Sequence, residues 1–300
     1  MLYYILISII ILVIIILICH YFLYYKHNNY VNKKITIEKF DFDDYLLPKI
    51  IWVYWHDDNN IPLCVQQIIK NNTAVVKEWK INFLSKTTLS KYISNKEMPS
   101  FKGLTHTQIS DWTRLYLLEK YGGCWCDASL IINDKTAFYK LRDDSIEKKS
   151  LFTGFYFSRY CEGNKFSYVE NSFMLAPKNS SIIKAWRKEF ENAINMGFYN
   201  YRAMLKKNKK LKLKNIYRNY YDVYLTAFAC FYNISENFSQ TIKDHFILYK
   251  AEDTIFKLQE ECKWNTACIH KKLKNKEVKQ MPYIKLIKPN RKNLDLKNVF

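Results

Sequence analysis

A chain of 300 residues with 49% hydrophobic and 25% charged side chains has the balance of a globular protein, which excludes a disordered tail or a coiled-coil rod. Aromatics reach 17% while Gly and Pro number 6 each, so collagen-like, elastic and mucin-like chains are excluded as well. The formal charge of +19 would attract phosphates, anionic lipid, acidic glycans or nucleic acid, but the Lys excess travels with abundant Ile, Asn, Tyr and Phe, as AT-rich coding produces. Eight Cys at irregular spacing, one of them in an apolar run, argue against a disulfide framework.

From Leu2 to Tyr25 no side chain is formally charged, and Ile5 to Ile18 is almost pure Ile, Leu and Val. Roughly 20 apolar residues cross a hydrocarbon layer, and Tyr3, Tyr4, Tyr21, Phe22, Tyr24 and Tyr25 resemble interfacial belts. Residues 1–25 are therefore expected to form a transmembrane signal-anchor, and Cys19-His20-Tyr21-Phe22 offers no small-residue cleavage site. Lys26, Lys33 and Lys34 follow the span, which leans the large domain towards the cytoplasm. Sequons at Asn71, Asn179, Asn233 and Asn237 point instead to a Golgi or ER lumen. Residues 26–47 are expected to be a stalk, and residues 48–300 one catalytic domain.

Pro48 opens the run Lys49-Ile50-Ile51-Trp52-Val53-Tyr54-Trp55, which reads as a strand buried on both faces. A helix is predicted from near Pro62, a strand over residues 80–84 and a short helix over 89–93. From Thr105 to Tyr121 apolar residues recur at helical spacing, and Gly122-Gly123 stops the helix. Cys124-Trp125-Cys126 re-enters the sheet. Further on, residues 152–157 and 172–175 read as strands, 182–194 and 221–232 as helices, and the Lys-dense 205–218 as a solvated segment. The alternation predicts an α/β fold with a mostly parallel central sheet.

The chemistry is concentrated in Ser110-Asp111-Trp112-Thr113-Arg114 and Gly122-Gly123-Cys124-Trp125-Cys126-Asp127-Ala128-Ser129. Asp111 and Arg114, at i and i+3, share a helix face, and Asp127 stands at the carboxyl end of a strand, the edge where open α/β sheets bind ligands. A carboxylate there can hold a hard cation that neutralises a departing diphosphate. Singly, the first two would be a surface ion pair and the third a turn cap; helix, double glycine, strand and Asp in that order are harder to obtain by accident.

These blocks, with the Pro48–Trp55 run and weaker echoes at Glu170-Asn171-Ser172-Phe173 and Pro282-Tyr283-Ile284-Lys285-Leu286, resemble the capsular polysaccharide synthesis proteins. Those are sugar transferases related to the DxD enzymes of the yeast mannosyltransferase and clostridial-toxin kind. The resemblance implies a GT-A fold, a nucleotide-sugar donor and a glycan or glycolipid acceptor. It also implies that Trp55 and Tyr54 lie beside the base, that Asp111 and Arg114 hold donor-sugar hydroxyls, that Asn171 contacts the sugar and that Lys285 meets the diphosphate. Asp127 matches the first Asp of DxD, against ribose and a divalent metal, Mn²⁺ or Mg²⁺. Ser129 takes the second position, where a neutral oxygen binds a hard cation more weakly than a carboxylate.

Cys124 with Cys126, and Cys262 with Cys268 and His270, lack the ligand spacing of common zinc sites. The basic run from Lys206 to Lys214 has no recognition helix or RNA-binding motif beside it, so no specific nucleic-acid partner is expected. The alternative to an enzyme is a non-catalytic basic membrane protein that binds acidic glycan, lipid or nucleic acid.

Overall fold

The computed structural model describes residues 2–32, 37–219, 223–297 and 299. The chain divides into two compact units, Met1–Thr36 and Ile37–Phe300. In the first, helix α1 (Leu2–Asn32) forms. Among the described residues no helix is long and apolar enough to cross a membrane, which corrects the expected span over residues 1–25. The helix also continues through Lys26, His27 and Asn28 into the expected stalk.

The second unit begins ahead of the predicted boundary. Phe40 and Leu47 are buried, the Tyr45 hydroxyl donates to the Ser145 carbonyl at 2.8 Å, and Lys178 N donates to Leu46 O at 2.9 Å. Residues 37–47 are thus part of the body and not a stalk.

Among the described residues eight strands follow: β1 (Ile50–Tyr54), β2 (Lys80–Leu84), β3 (Gly123–Cys126), β4 (Leu130–Ile132), β5 (Phe152–Tyr156), β6 (Val169–Ala176), β7 (Phe246–Lys250) and β8 (Tyr283–Lys285). The helices are α2 (Leu63–Val75), α3 (His106–Tyr121), α4 (Lys135–Glu147), α5 (Ser181–Met196), α6 (Phe198–Lys206), α7 (Thr226–Ser235), α8 (Gln240–Asp244), α9 (Lys257–Glu261), α10 (Thr266–Lys274) and α11 (Lys288–Arg291). Six strands form one sheet in the order β2-β1-β3-β6-β5-β7, and β4 pairs with β8 in a second. The junctions β1–β2, β1–β3 and β5–β7 are parallel, while β6 runs antiparallel to both β3 and β5. An α/β fold with a mostly parallel central sheet is what the alternation of elements implied.

β1 and β3 are central because they have little that wants water: Ile51, Trp52, Val53, Cys124, Trp125 and Cys126 are all buried. α3 supplies the layer above them. Thr105 caps its start reciprocally with Gln108, each backbone N–H bonding the other's side chain at 2.8 and 3.3 Å. Its stripe of Trp112, Leu115 and Leu118 is fully buried. The turn into β3 is where glycine is required. At Gly123, with φ +98°, a Cβ would stand 2.5 Å from the Ile50 carbonyl oxygen, and Gly122 at φ +69° is closed in by the Lys178 backbone. Gly123→Ala is expected to destabilise the fold by about 2–4 kcal/mol, combining left-handed strain with a backbone clash, measurable as a lower urea midpoint at unchanged slope.

The second half departs from its predicted pattern. The segment 205–218 is not wholly solvated, since Leu205, Leu211, Leu213, Ile216 and Tyr217 are buried under the Lys side chains. The predicted helix over 221–232 is observed as α7, from Thr226, and its expected beginning at Tyr221 and Asp222 lies outside the described residues. Cys262 and Cys268 form a disulfide, which the irregular Cys spacing did not suggest. It leaves His270 to pair with the Asn290 carbonyl at 2.8 Å.

Candidate active site

At the carboxyl end of β3 the chain turns tightly, with Leu130 N donating to Asp127 O at 2.9 Å and Asp127 N to Ser172 O on β6 at 2.8 Å. These bonds fix the Asp127 side chain at the junction of β3, β6 and α3. The Trp125 indole N–H, two residues upstream and therefore on the same strand face, donates to Asp127 Oδ1 at 2.8 Å.

α3 sends Arg114 to the same point. Its guanidinium reaches Asp111 Oδ1 at 3.2 Å and Asp127 Oδ1 at 3.4 Å. It also donates to the Asn171 carbonyl at 2.6 Å and to the Ser110 hydroxyl at 3.2 Å, and its carbon lies 5.1 Å from the Trp125 ring centre. The Asn171 amide donates to Asp111 Oδ1 at 3.1 Å. Lys285, at the end of β8, places its ammonium on Asp127 Oδ2. Four predicted residues, Asp111, Arg114, Asn171 and Lys285, thus meet around the fifth, Asp127.

Accessibility ranks them. The side chains of Asp111 and Arg114 are 5% and 4% exposed, whereas that of Asp127 is 24% exposed. Asp127 is the more accessible carboxylate of the two, and the α3 pair is buried beside it.

Their ionisation follows from the same packing. Burial pushes the Asp111 carboxyl up to about 7 from 3.8, with Arg114 opposing and the Asp127 charge adding to the rise. Burial acts on Asp127 too, but Lys285, Arg114 and the Trp125 indole outweigh it and hold its carboxyl below the usual range. Because the folded chain keeps a proton on Asp111 that the unfolded chain releases, stability from this group is complete below about pH 4 and is lost as the pH rises through 7. The urea midpoint is expected to fall across that window in the wild type and to fall less in Asp111→Asn.

Trp55 and Tyr54 are kept apart. Tyr54 is buried within β1, and successive strand residues face opposite ways. Trp55, just beyond the strand, is partly exposed, its indole donates to Asn60 O at 3.3 Å, and the Arg291 guanidinium carbon lies 5.9 Å from its ring centre. Only Trp55 is placed to present a ring face.

Three residues join the site without having been anticipated. Glu170 is buried and accepts from Ser172 N at 3.0 Å, its carboxyl raised by burial against the pull of Lys285. Tyr224 is 64% exposed, yet its phenol is pushed up to about 12 by surrounding protein and by the charges of Asp111, Asp127 and Glu170. Arg291 feels the charge of Asp127 and donates to the Leu286 carbonyl at 2.9 Å. The two-residue period of β6 pairs Glu170 with Ser172 and could have flagged it, but Arg291 is hidden in a tail crowded with Lys.

The residues here do not fit a divalent cation. Both Asp127 oxygens are already engaged, Oδ1 by the Trp125 indole and the Arg114 charge and Oδ2 by the Lys285 ammonium. Ser129 is buried in the turn, its carbonyl accepting from Leu286 N at 2.9 Å. Among the described residues no three of His, Cys, Asp and Glu gather as a metal site. A hard dication takes several oxygen ligands, whereas two side-chain cations adjoin the one accessible carboxylate.

A family model described as capsular polysaccharide synthesis protein matches residues 20–276. The chain belongs to the capsular polysaccharide synthesis protein family. Within this family context, the chain is similar to the O-glycosyltransferase PaGT of Phomopsis amygdali, at 24% identity over 156 residues. That match covers 47% of this chain and 38% of PaGT, so it spans well under half the relative's length. Among solved structures, a glycosyltransferase involved in the glycosylation of the major capsid of PBCV-1 is similar at 12% identity and a TM-score of 0.43, covering 81% of this chain and 94% of that one. The glycosyltransferase GlyE of Streptococcus pneumoniae TIGR4 is similar at 10% identity and a TM-score of 0.33, over 83% and 57% of the two chains.

Proposed function

We propose that the Ile37–Phe300 unit is a glycosyltransferase that moves a sugar from a nucleotide-diphosphate sugar to a hydroxyl of a glycan or glycolipid. The observation that carries this reading is the buried Asp111–Arg114 couple clamped onto the accessible Asp127 at the carboxyl end of β3, where open α/β sheets take ligands. A protein that only binds polyanions has no use for a buried acid–base couple set against an accessible carboxylate at one sheet edge. Membership of the capsular polysaccharide synthesis family and the similarity to PaGT support the same reading.

In this reading Trp55 stacks on the nucleotide base, Asp127 receives hydroxyls of the donor, and Asn171 and Asp111 hold the carboxylate and its Arg114 partner in place. Most of the rate comes from positioning the two reactants and stabilising the departing diphosphate. The direct test is release of nucleoside diphosphate from a panel of nucleotide sugars with and without added glycan; no release from any donor would end the proposal. Trp55→Ala is expected to weaken nucleoside diphosphate binding about 5- to 100-fold, the range of one lost base–aromatic stack, as read by calorimetry.

A further inference from the structure

We propose that the donor's diphosphate is neutralised by the side chains of Lys285 and Arg291, and that this chain uses no divalent cation. The proposal rests on the glycosyltransferase reading and names how its leaving group is handled. The two cations lie on one short stretch, β8 running through Leu286 into α11. Lys285 is paired to Asp127 Oδ2. Arg291 is tied by its Nη1 to the Leu286 carbonyl at 2.9 Å, lies over the Trp55 ring and is within the field of Asp127. The stretch therefore links the aromatic platform to the accessible carboxylate. A nucleotide whose base rests on Trp55 and whose sugar approaches Asp127 must lay its diphosphate across Lys285 and Arg291.

A metal ion at Asp127 would have to displace the Lys285 ammonium and sit beside the Arg114 guanidinium, with a neutral Ser129 as the nearest DxD counterpart. Two fixed cations meet the same need: charge-assisted bonds to phosphate oxygens from Arg and Lys. In the transfer, the bond from the sugar's anomeric carbon to the phosphate oxygen breaks with its electron pair going to the diphosphate. The acceptor oxygen forms the new bond, and the acceptor proton passes to solvent. Lys285 and Arg291 hold the charge that builds on the diphosphate.

The test is calorimetric binding of UDP, GDP, ADP and CDP to the full chain, in excess EDTA and again in excess Mn²⁺ or Mg²⁺. At least one diphosphate is expected to bind with the same affinity in all conditions. Lys285→Gln and Arg291→Gln should each weaken it by about tenfold or more, with no recovery on adding Mn²⁺, and Lys285→Arg should restore most of the loss. Arg291 lies outside the Asp127 ion pair, so Arg291→Gln remains informative if Lys285→Gln does not fold. Binding that rises tenfold or more with Mn²⁺ or Mg²⁺, or unchanged affinity in Arg291→Gln, overturns the cation pair and leaves the glycosyltransferase reading standing. If no diphosphate binds in any condition, both fall.

Discussion

Asp127→Asn is expected to lower nucleoside diphosphate release by about 10²–10³-fold, the loss that follows removal of one preorganised charged group from a reaction centre. Asn preserves the volume and one oxygen for the Trp125 indole, but it leaves Lys285 and Arg114 without their shared countercharge. An amide nitrogen turned towards either cation is repelled, so the side chain is expected to reorient and break the shared contact with Lys285 and Arg114. Because the carboxyl of Asp127 is depressed in the fold, its contribution to stability is present above its ordinary value of 3.8 and is lost as the pH falls through the lower folded value. Asp127→Asn should therefore lose that acid-side dependence, and a variant that released diphosphate at the wild-type rate would remove Asp127 from the mechanism.

Arg114→Ala is expected to lower stability by about 3–5 kcal/mol, the cost of leaving a buried charge uncompensated, and Arg114→Lys to recover little of that loss. One planar guanidinium serves Asp111, Asp127, the Asn171 carbonyl and the Ser110 hydroxyl together. An ammonium is a point donor and cannot span that arc. Its retained charge does not help if geometry is what Arg114 provides. The checks are the thermal midpoint and donor affinity in parallel: Arg114→Lys with wild-type values for both would show that charge alone suffices. Arg114 acts through Asp127, so its loss should depress donor binding and stability together, whereas Arg291→Gln should depress binding alone.

The parts of this fold that were legible in the sequence are those whose pattern has a local cause. β1 declares itself because a strand buried on both faces is a continuous β-branched and aromatic run, and α3 because Thr105, the buried stripe and Gly122 mark its start, face and end. β4 and β8, at three residues each, are too short to carry a period, and β7 is a half-buried edge strand that follows His245 and ends in Lys250. Within the site, Asp111, Arg114 and Asp127 could be grouped from their spacing, while Asn171 and Lys285 were reached only through family resemblance. The ion pair between Lys285 and Asp127 is a tertiary fact with no local trace. That no helix among the described residues is long and apolar enough to cross a membrane turns on the same distinction: apolar composition over residues 5–18 was visible, but composition alone does not establish a span.

The Lys285–Asp127 contact joins positions 158 residues apart along the chain, and this bears on when the protein first becomes competent during its own synthesis. Elements up to β6 can assemble on the ribosome as they emerge, since domains fold in order of their appearance. The two-stranded ribbon that delivers Lys285 closes only after nearly the whole chain has emerged, over a long loop whose closure entropy has to be overcome. Until residue 285 clears the exit tunnel, a nascent chain holds Asp127 by the Trp125 indole and Arg114 but without its Lys285 partner.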